Sequence, residues 1–273
     1  MSIKVSDCLF AKDIKTFREI EAKANMTLMS MPVFRLIGSN LKVFIKNYAE
    51  KNSIHLKILY LPFNDNQVWG LFYQKKGIYF IVINSQISIN KQNVALAHEF
   101  YHFISAFEED KISAMDILKE SSLNQQFNDE DRKANAFSSC LLMPLDIIST
   151  ILPKKPISLE DTIVQVKALM DIFLVPYKTA VIRLLEIDRL TLEQADYYIK
   201  SIDAKIRNKL EENNTIYKNI RWEHPISSHI DIDDLGDLIA ENEDFEFISS
   251  IKATKYKNQV EEILKYLKQE SNE

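Results

Sequence analysis

Apolar and polar positions alternate with two different periods along the chain. The helical period of 3.6 residues covers 14–26 and 33–51, on either side of Pro32, and predicts two N-terminal helices. A period of two, typical of strands, then follows. The segments with this period, bounded by polar turn residues, are 54–60, 68–73 and 78–83. The pattern predicts a small sheet of about three strands.

From residue 90 onward the period is helical again. The predicted helices of this part are 90–107, 129–143, one that starts at Ser158, about 177–187, and about 191–210. The helix over 129–143 begins at Asn128 or Asp129 as N-cap and is stopped by Pro144. The chain has only four glycines, which fits a helical protein. We therefore predict an α+β fold that is mostly helical.

The composition changes near residue 205. The polar run 211–214 is typical of a linker, 231–246 is rich in acids, and a charged amphipathic helix extends to the end. We predict a catalytic domain over 1–205 that includes the N-terminal helices, and a helical segment of unknown role over 206–273. The acidic stretch is expected to be a solvated face.

Length and charge narrow the classes of function. The 273 residues are 46% hydrophobic and 27% charged, which is typical of a globular protein with a sizeable core. The formal net charge of −5 provides no general attraction to nucleic acid or to an anionic membrane. Two distant cysteines, Cys8 and Cys140, do not indicate a disulfide scaffold. With no signal peptide or spanning apolar stretch, we expect a cytoplasmic protein that binds neither membrane nor nucleic acid.

The chemistry-bearing motif is His98-Glu99-Phe100-Tyr101-His102, an HExxH pattern inside a predicted helix. Residues i and i+4 of a helix lie on one face about 5–6 Å apart, so both imidazoles reach one metal ion. Glu99 then faces the open position of the ion and serves as general base toward metal-bound water. Zinc suits imidazole nitrogen and acidifies its bound water, and manganese is the alternative ion. The motif predicts a metal-dependent peptidase.

A catalytic zinc needs a third protein ligand. The residue six positions after His102 is Glu108 rather than His, which disfavours the metzincin class. His55 lies on a predicted strand, and His224 and His229 are far downstream. The acidic helix start Asp129-Glu130-Asp131 is the better source, because a carboxylate from a second helix is the common alternative to a third His.

The run from Asp131 to Pro144 resembles the second hallmark of the ImmA/IrrE family of metallopeptidases. That hallmark is an acidic residue, two variable residues, Ala-Asn, a Phe and finally Leu-Leu-Met-Pro; here it corresponds to Ala134-Asn135, Phe137 and Leu141-Leu142-Met143-Pro144. The family's first hallmark is a strand followed by an HExxH helix, similar to the segment from Ile78 to Ile104. The resemblance covers roughly 40–195 and is strongest in these two motifs.

The resemblance implies a zincin-like catalytic domain with His98 and His102 as zinc ligands and Glu99 as base. It also implies that the residue three before Ala134 completes the site. That residue is Asp131, one methylene shorter than the family's usual Glu. Glu130 is the alternative ligand, with a longer side chain but a position rotated by about 100° around the helix.

The resemblance further implies the partner. Substrates in this family are usually helix-turn-helix repressors encoded nearby, whose cleavage releases transcription. We therefore expect a zinc-dependent endopeptidase that cuts such a regulatory protein. The alternatives are a zinc-bearing module that sequesters its partner without cutting it, favoured by the shorter Asp131, and the toxin half of a toxin–antitoxin pair.

Overall fold

The structure, a computed structural model, describes residues 5–31, 40–63, 65, 67–108, 129–152, 155, 158–200 and 230–270. Its strands are β1 (Leu56–Leu61), β2 (Gly70–Lys75) and β3 (Ile78–Asn84). Its helices, after a 3-10 turn at Val5–Asp7, are α1 (Leu9–Lys12), α2 (Ile14–Met29), α3 (Leu41–Lys51), α4 (Ile89–Glu108), α5 (Asp129–Leu142), α6 (Leu145–Ile151), α7 (Leu159–Phe173), α8 (Tyr177–Glu186), α9 (Leu192–Lys200), α10 (Leu235–Asp244) and α11 (Ser250–Glu270). The predicted α+β class with a small three-stranded sheet is confirmed.

Element boundaries differ from the prediction by a few residues. The strand predicted over 68–73 lies over Gly70–Lys75, two residues later. The predicted start of the helix at 33–51 lies outside the described residues, which contain its second part, Leu41–Lys51. Three further predictions lie outside the described residues. They are the part of the helix at about 191–210 beyond Lys200, the linker at 211–214 and the domain boundary near 205.

The sheet has the strand order β1-β3-β2. β1 pairs with β3 in parallel, and β2 pairs with β3 in antiparallel fashion with Gly70 opposite Ile83. The hairpin between β2 and β3 turns at Lys76 and Gly77, whose φ angles are 52° and 79°. Two consecutive positive φ angles are typical of a type I′ turn, which matches the twist of the strands it joins. The sheet therefore brings β2 and β3 together next to α4.

The core is built around α4 and α5. α4 is buried on most of its circumference, as expected for a central helix, and α5 packs against both α2 and α4. In α5 every residue from Ala136 to Leu142 is buried. Pro144 follows immediately and cannot continue the hydrogen-bond pattern of α5, so α6 begins there with a new direction. The segments that carry the two candidate motifs thus both contribute to the core.

The acidic stretch does not behave as a purely solvated face, contrary to our expectation. Asp231 forms an antiparallel backbone bridge with Tyr60 of β1, and its carboxylate is 2.6 Å from Lys42 Nζ. Asp233 accepts from Lys46 Nζ at 2.6 Å, and Asp234 accepts from Lys57 at 2.6 Å. The side chains of α3 and β1 thus supply lysines that neutralise these three acids, a long-range pairing that charge composition alone does not reveal.

No single helix in the described part of the chain has the length and apolarity needed to cross a membrane. The pair α5 and α6, bent by 48° at the break between them, would meet the criterion together on length and composition alone.

Candidate metal centre

Helix α4 presents His98 and His102 on one face, because they are four residues apart. Their Nε2 atoms lie 3.1 Å from each other. Both rings are partly buried, so neither is a freely rotating surface side chain. The packing of α4 against β2, β3, α3 and α5 holds this face in one orientation. The two imidazoles therefore converge on one point, as the HExxH spacing predicts.

The third member of the cluster comes from the first turn of α5. Asp131 Oδ1 lies 3.9 Å from His102 Nε2, and one ligand atom from each of the three side chains falls within 4.8 Å of the others. Two ligands about 2.0 Å from a tetrahedral zinc ion are about 3.3 Å apart. The observed separations of 3.1 and 3.9 Å bracket that value. Two imidazole nitrogens and one carboxylate are also a donor set that zinc prefers, so these residues fit the ion.

Glu130, the alternative ligand, makes other contacts. One of its carboxylate oxygens accepts from Lys133 Nζ at 2.7 Å, and the other accepts from the Tyr101 hydroxyl at 3.3 Å. Its side chain is about half exposed, at 54%, against 16% for Asp131. The approach of α5 to α4 thus brings the shorter Asp131 into range of the histidines, while Glu130 is directed along the helix surface.

We predict that Asp131→Ala weakens zinc binding by more than the roughly 10–100-fold that loss of an outer hydrogen-bond partner costs. Glu130→Ala should leave the affinity unchanged, since its partners are Lys133 and Tyr101. The measurement is competition with a chromogenic chelator. Tight binding by Asp131→Ala together with weak binding by Glu130→Ala would reverse the assignment.

Glu99 is buried beside β2, with 4% of its surface exposed. A Cβ placed on Gly70 would come within 3.0 Å of Glu99 Oε1 and 3.1 Å of its Cγ. The absence of a side chain at Gly70 is therefore what lets the Glu99 carboxylate lie against this strand. Strand β2 and helix α4 together fix the position of a carboxylate that is adjacent in sequence to the first histidine.

The turn between β3 and α4 is organised by Asn84, which is fully buried. Its side-chain oxygen accepts from the backbone N–H groups of Phe63 and Gln86, and its amide donates to the carbonyls of Asp65 and Val68. A buried amide with four partners is rigid. Asn84 therefore ties the start of the metal-site helix to the loop that precedes β2.

Sequence reasoning did not single out Asn135, although it belongs to the motif on α5. Its Oδ1 lies 3.0 Å from His98 Nδ1, the ring nitrogen on the far side from His102. The available signal was its spacing: Asn135 follows Asp131 by four residues, which places both on one face of α5. His55 precedes β1 and is not in the His-His-Asp cluster, and His224 and His229 lie outside the described residues.

Comparison with known families agrees with this geometry. A model of the peptidase M78 family, described as the IrrE N-terminal-like domain, matches residues 52–185. The matched range begins just before β1 and ends in α8, so it includes the sheet and both helices of the His-His-Asp cluster. No curated protein matches the chain.

Proposed function

Because residues 52–185 belong to the ImmA/IrrE family of peptidase domains, we propose that this protein is a zinc-dependent endopeptidase that cuts a regulatory protein. The observation that carries the proposal is the convergence of His98, His102 and Asp131 beside the buried Glu99. Family membership supports the metallopeptidase class, and the cluster supports the metal. Manganese, which accepts the same ligands, is the alternative ion.

His98, His102 and Asp131 would hold the ion. When bound, zinc supplies a Lewis acid that polarises the scissile carbonyl and makes water more acidic. Glu99, one residue from a ligand, would take a proton from the attacking water and deliver it to the leaving amine. Its burial between α4 and β2 limits its movement, so the proton is taken from and returned to a defined position.

We propose a helix-turn-helix repressor encoded near this protein as the substrate class. The support is the usual partner of the family, together with a mildly acidic chain, at −5, that has no general attraction for nucleic acid itself. The protein would act on transcription by cutting the repressor.

The proposal is tested by mixing the purified protein with the neighbouring repressor and following the products by gel and mass spectrometry. Cleavage should require bound metal: removal by a chelator abolishes it, and added zinc restores it, with manganese tested in parallel. An intact repressor that co-elutes with the fully zinc-loaded protein would contradict the peptidase proposal and identify a sequestering module instead.

Close packing at Gly70 yields a further prediction. Gly70→Ala should displace the Glu99 carboxylate and slow cleavage by up to roughly 100-fold, with a loss of stability of about 1–3 kcal/mol from overpacking. Zinc affinity should not change, because the three atoms nearest to the new methyl group belong to Glu99 and Ile83 and not to the candidate ligands.

The matched control is Gly236→Ala in α10, where an added Cβ meets nothing within 4 Å. This variant should keep native cleavage and gain slightly in stability from the better helix propensity of alanine. Equal rates for Gly70→Ala and the native protein would show that the position of Glu99 does not depend on this strand.

A further inference from the structure

The His98 ring has contacts on both of its nitrogens. Nε2 faces His102 Nε2 at 3.1 Å, and Nδ1 lies 3.0 Å from the side-chain oxygen of Asn135. An amide oxygen only accepts hydrogen bonds. The contact with Asn135 is therefore a hydrogen bond only if Nδ1 carries the hydrogen. In a neutral imidazole this leaves the lone pair on Nε2, the nitrogen directed at the cluster.

We propose that Asn135 is a positioning residue of the metal site: its side-chain oxygen holds His98 in the Nδ1–H tautomer and in the ring orientation that aims Nε2 at the ion. The inference rests on the proposed function only in taking this cluster to bind a metal. It assigns to Asn135 no contact with the substrate or the reacting atoms.

The location of Asn135 supports this role. The side chain is exposed and lies in the interior of α5, where asparagine is a poor helix former. It is not one of the residues that build the core. One helix turn earlier, Asp131 projects from the same face into the cluster. A single helix thus supplies both a candidate ligand and the group that orients another ligand.

Orientation of this kind affects metal binding. Without the Asn135 acceptor at Nδ1, the His98 ring loses this orienting contact, and its hydrogen can move to Nε2, the more populated form of a free histidine side chain. Zinc binding must then restore the orientation of the ring and return the hydrogen to Nδ1. Loss of such an outer partner typically reduces metal affinity by about 10–100-fold.

Zinc affinity, measured by chelator competition, is the first test. Asn135→Ala should bind zinc about 10–100-fold more weakly, whereas Asn135→Asp, which keeps an acceptor oxygen, should bind at least as tightly as the native protein. The matched control is Asn258→Ala, which also replaces an exposed asparagine inside a helix, α11, and should not change the affinity. Native affinity in Asn135→Ala would overturn the proposal.

The second test reads the tautomer directly in the metal-free protein. Nitrogen-15 NMR at alkaline pH, where the ring is neutral, should find the hydrogen of His98 on Nδ1 in the native protein and in Asn135→Asp. In Asn135→Ala it should move largely to Nε2. A native His98 with its hydrogen on Nε2 would overturn the proposal. Because this reading needs neither metal nor cleavage, it separates failure of the Asn135 role from failure of the peptidase proposal.

Discussion

Glu99→Gln should bind zinc as tightly as the native protein and cleave its substrate about 10²–10⁴-fold more slowly. Glutamine has nearly the same shape as glutamate, so the buried position beside Gly70 is kept. What the substitution removes is a group that accepts a proton from water and passes it on. The measurement is the single-turnover cleavage rate at saturating zinc, with metal content determined on the same sample.

Glu108→Gln is the control for this experiment. Glu108 is the last residue of the same helix and pairs with Lys23 at 2.7 Å, with its side chain 51% exposed. Losing such an exposed pair changes stability by less than about 1 kcal/mol and should not change cleavage. Native cleavage by Glu99→Gln would exclude Glu99 as the base.

Arg183→Met should lower the free energy of unfolding by about 3–5 kcal/mol, since removal of one partner leaves a buried charge uncompensated. Arg183 is 1% exposed, and its guanidinium lies 3.2 Å from Glu186 and 3.6 Å from Glu21. It also donates to the carbonyl of Met143, the residue just after α5. The measurement is urea unfolding followed by circular dichroism.

The matched control is Arg18→Met. Arg18 pairs with the same Glu21, at 2.7 Å, but its side chain is 47% exposed, so its loss should cost less than about 1 kcal/mol. The double variant Arg183→Met/Glu186→Gln should recover part of the stability, because the orphan charge is removed as well. An equal loss of stability in Arg183→Met and Arg18→Met would show that burial does not determine how much the Arg183 ion pairs contribute to stability.

The loss in Arg183→Met should also depend on pH. Burial raises the pKa of Glu186 above its ordinary value of 4.5, while Arg183 and Ser139 act to lower it. When the pKa of a carboxyl group is higher in the folded than in the unfolded state, its contribution to stability is fully present below the unfolded-state pKa. That contribution is lost as the pH rises through the folded-state pKa. Without Arg183 the folded-state pKa of Glu186 rises further. The difference in the free energy of unfolding between Arg183→Met and the native protein should therefore be largest at neutral pH and should shrink toward pH 4.5.

Local patterns predicted a large part of this protein. The HExxH pair, the three strands and the helix start at Ser158, which accepts from the Asp161 N–H at 3.1 Å, all depend on residues within a few positions of one another. Period and capping chemistry determine such features before any tertiary contact forms. The match of residues 52–185 to the IrrE N-terminal-like domain was also predicted from the sequence, through the two motifs on α4 and α5.

The rest depends on how distant segments pack. The first turn of α5 holds three acids, and only its approach to α4 brings Asp131 to the histidines while Glu130 contacts Lys133 and Tyr101. The lysine partners of the acidic stretch lie on α3 and β1, far away in sequence.

By itself, then, the sequence determined the two histidines, the adjacent Glu99 and the fold class, because helix and strand periodicity place neighbouring residues without reference to the rest of the chain. The tertiary structure decided which carboxylate joins the histidines, how Gly70 accommodates Glu99, and which side chain contacts the far nitrogen of His98. Those outcomes depend on separations of a few ångströms between different elements, and such separations are set by packing in the core.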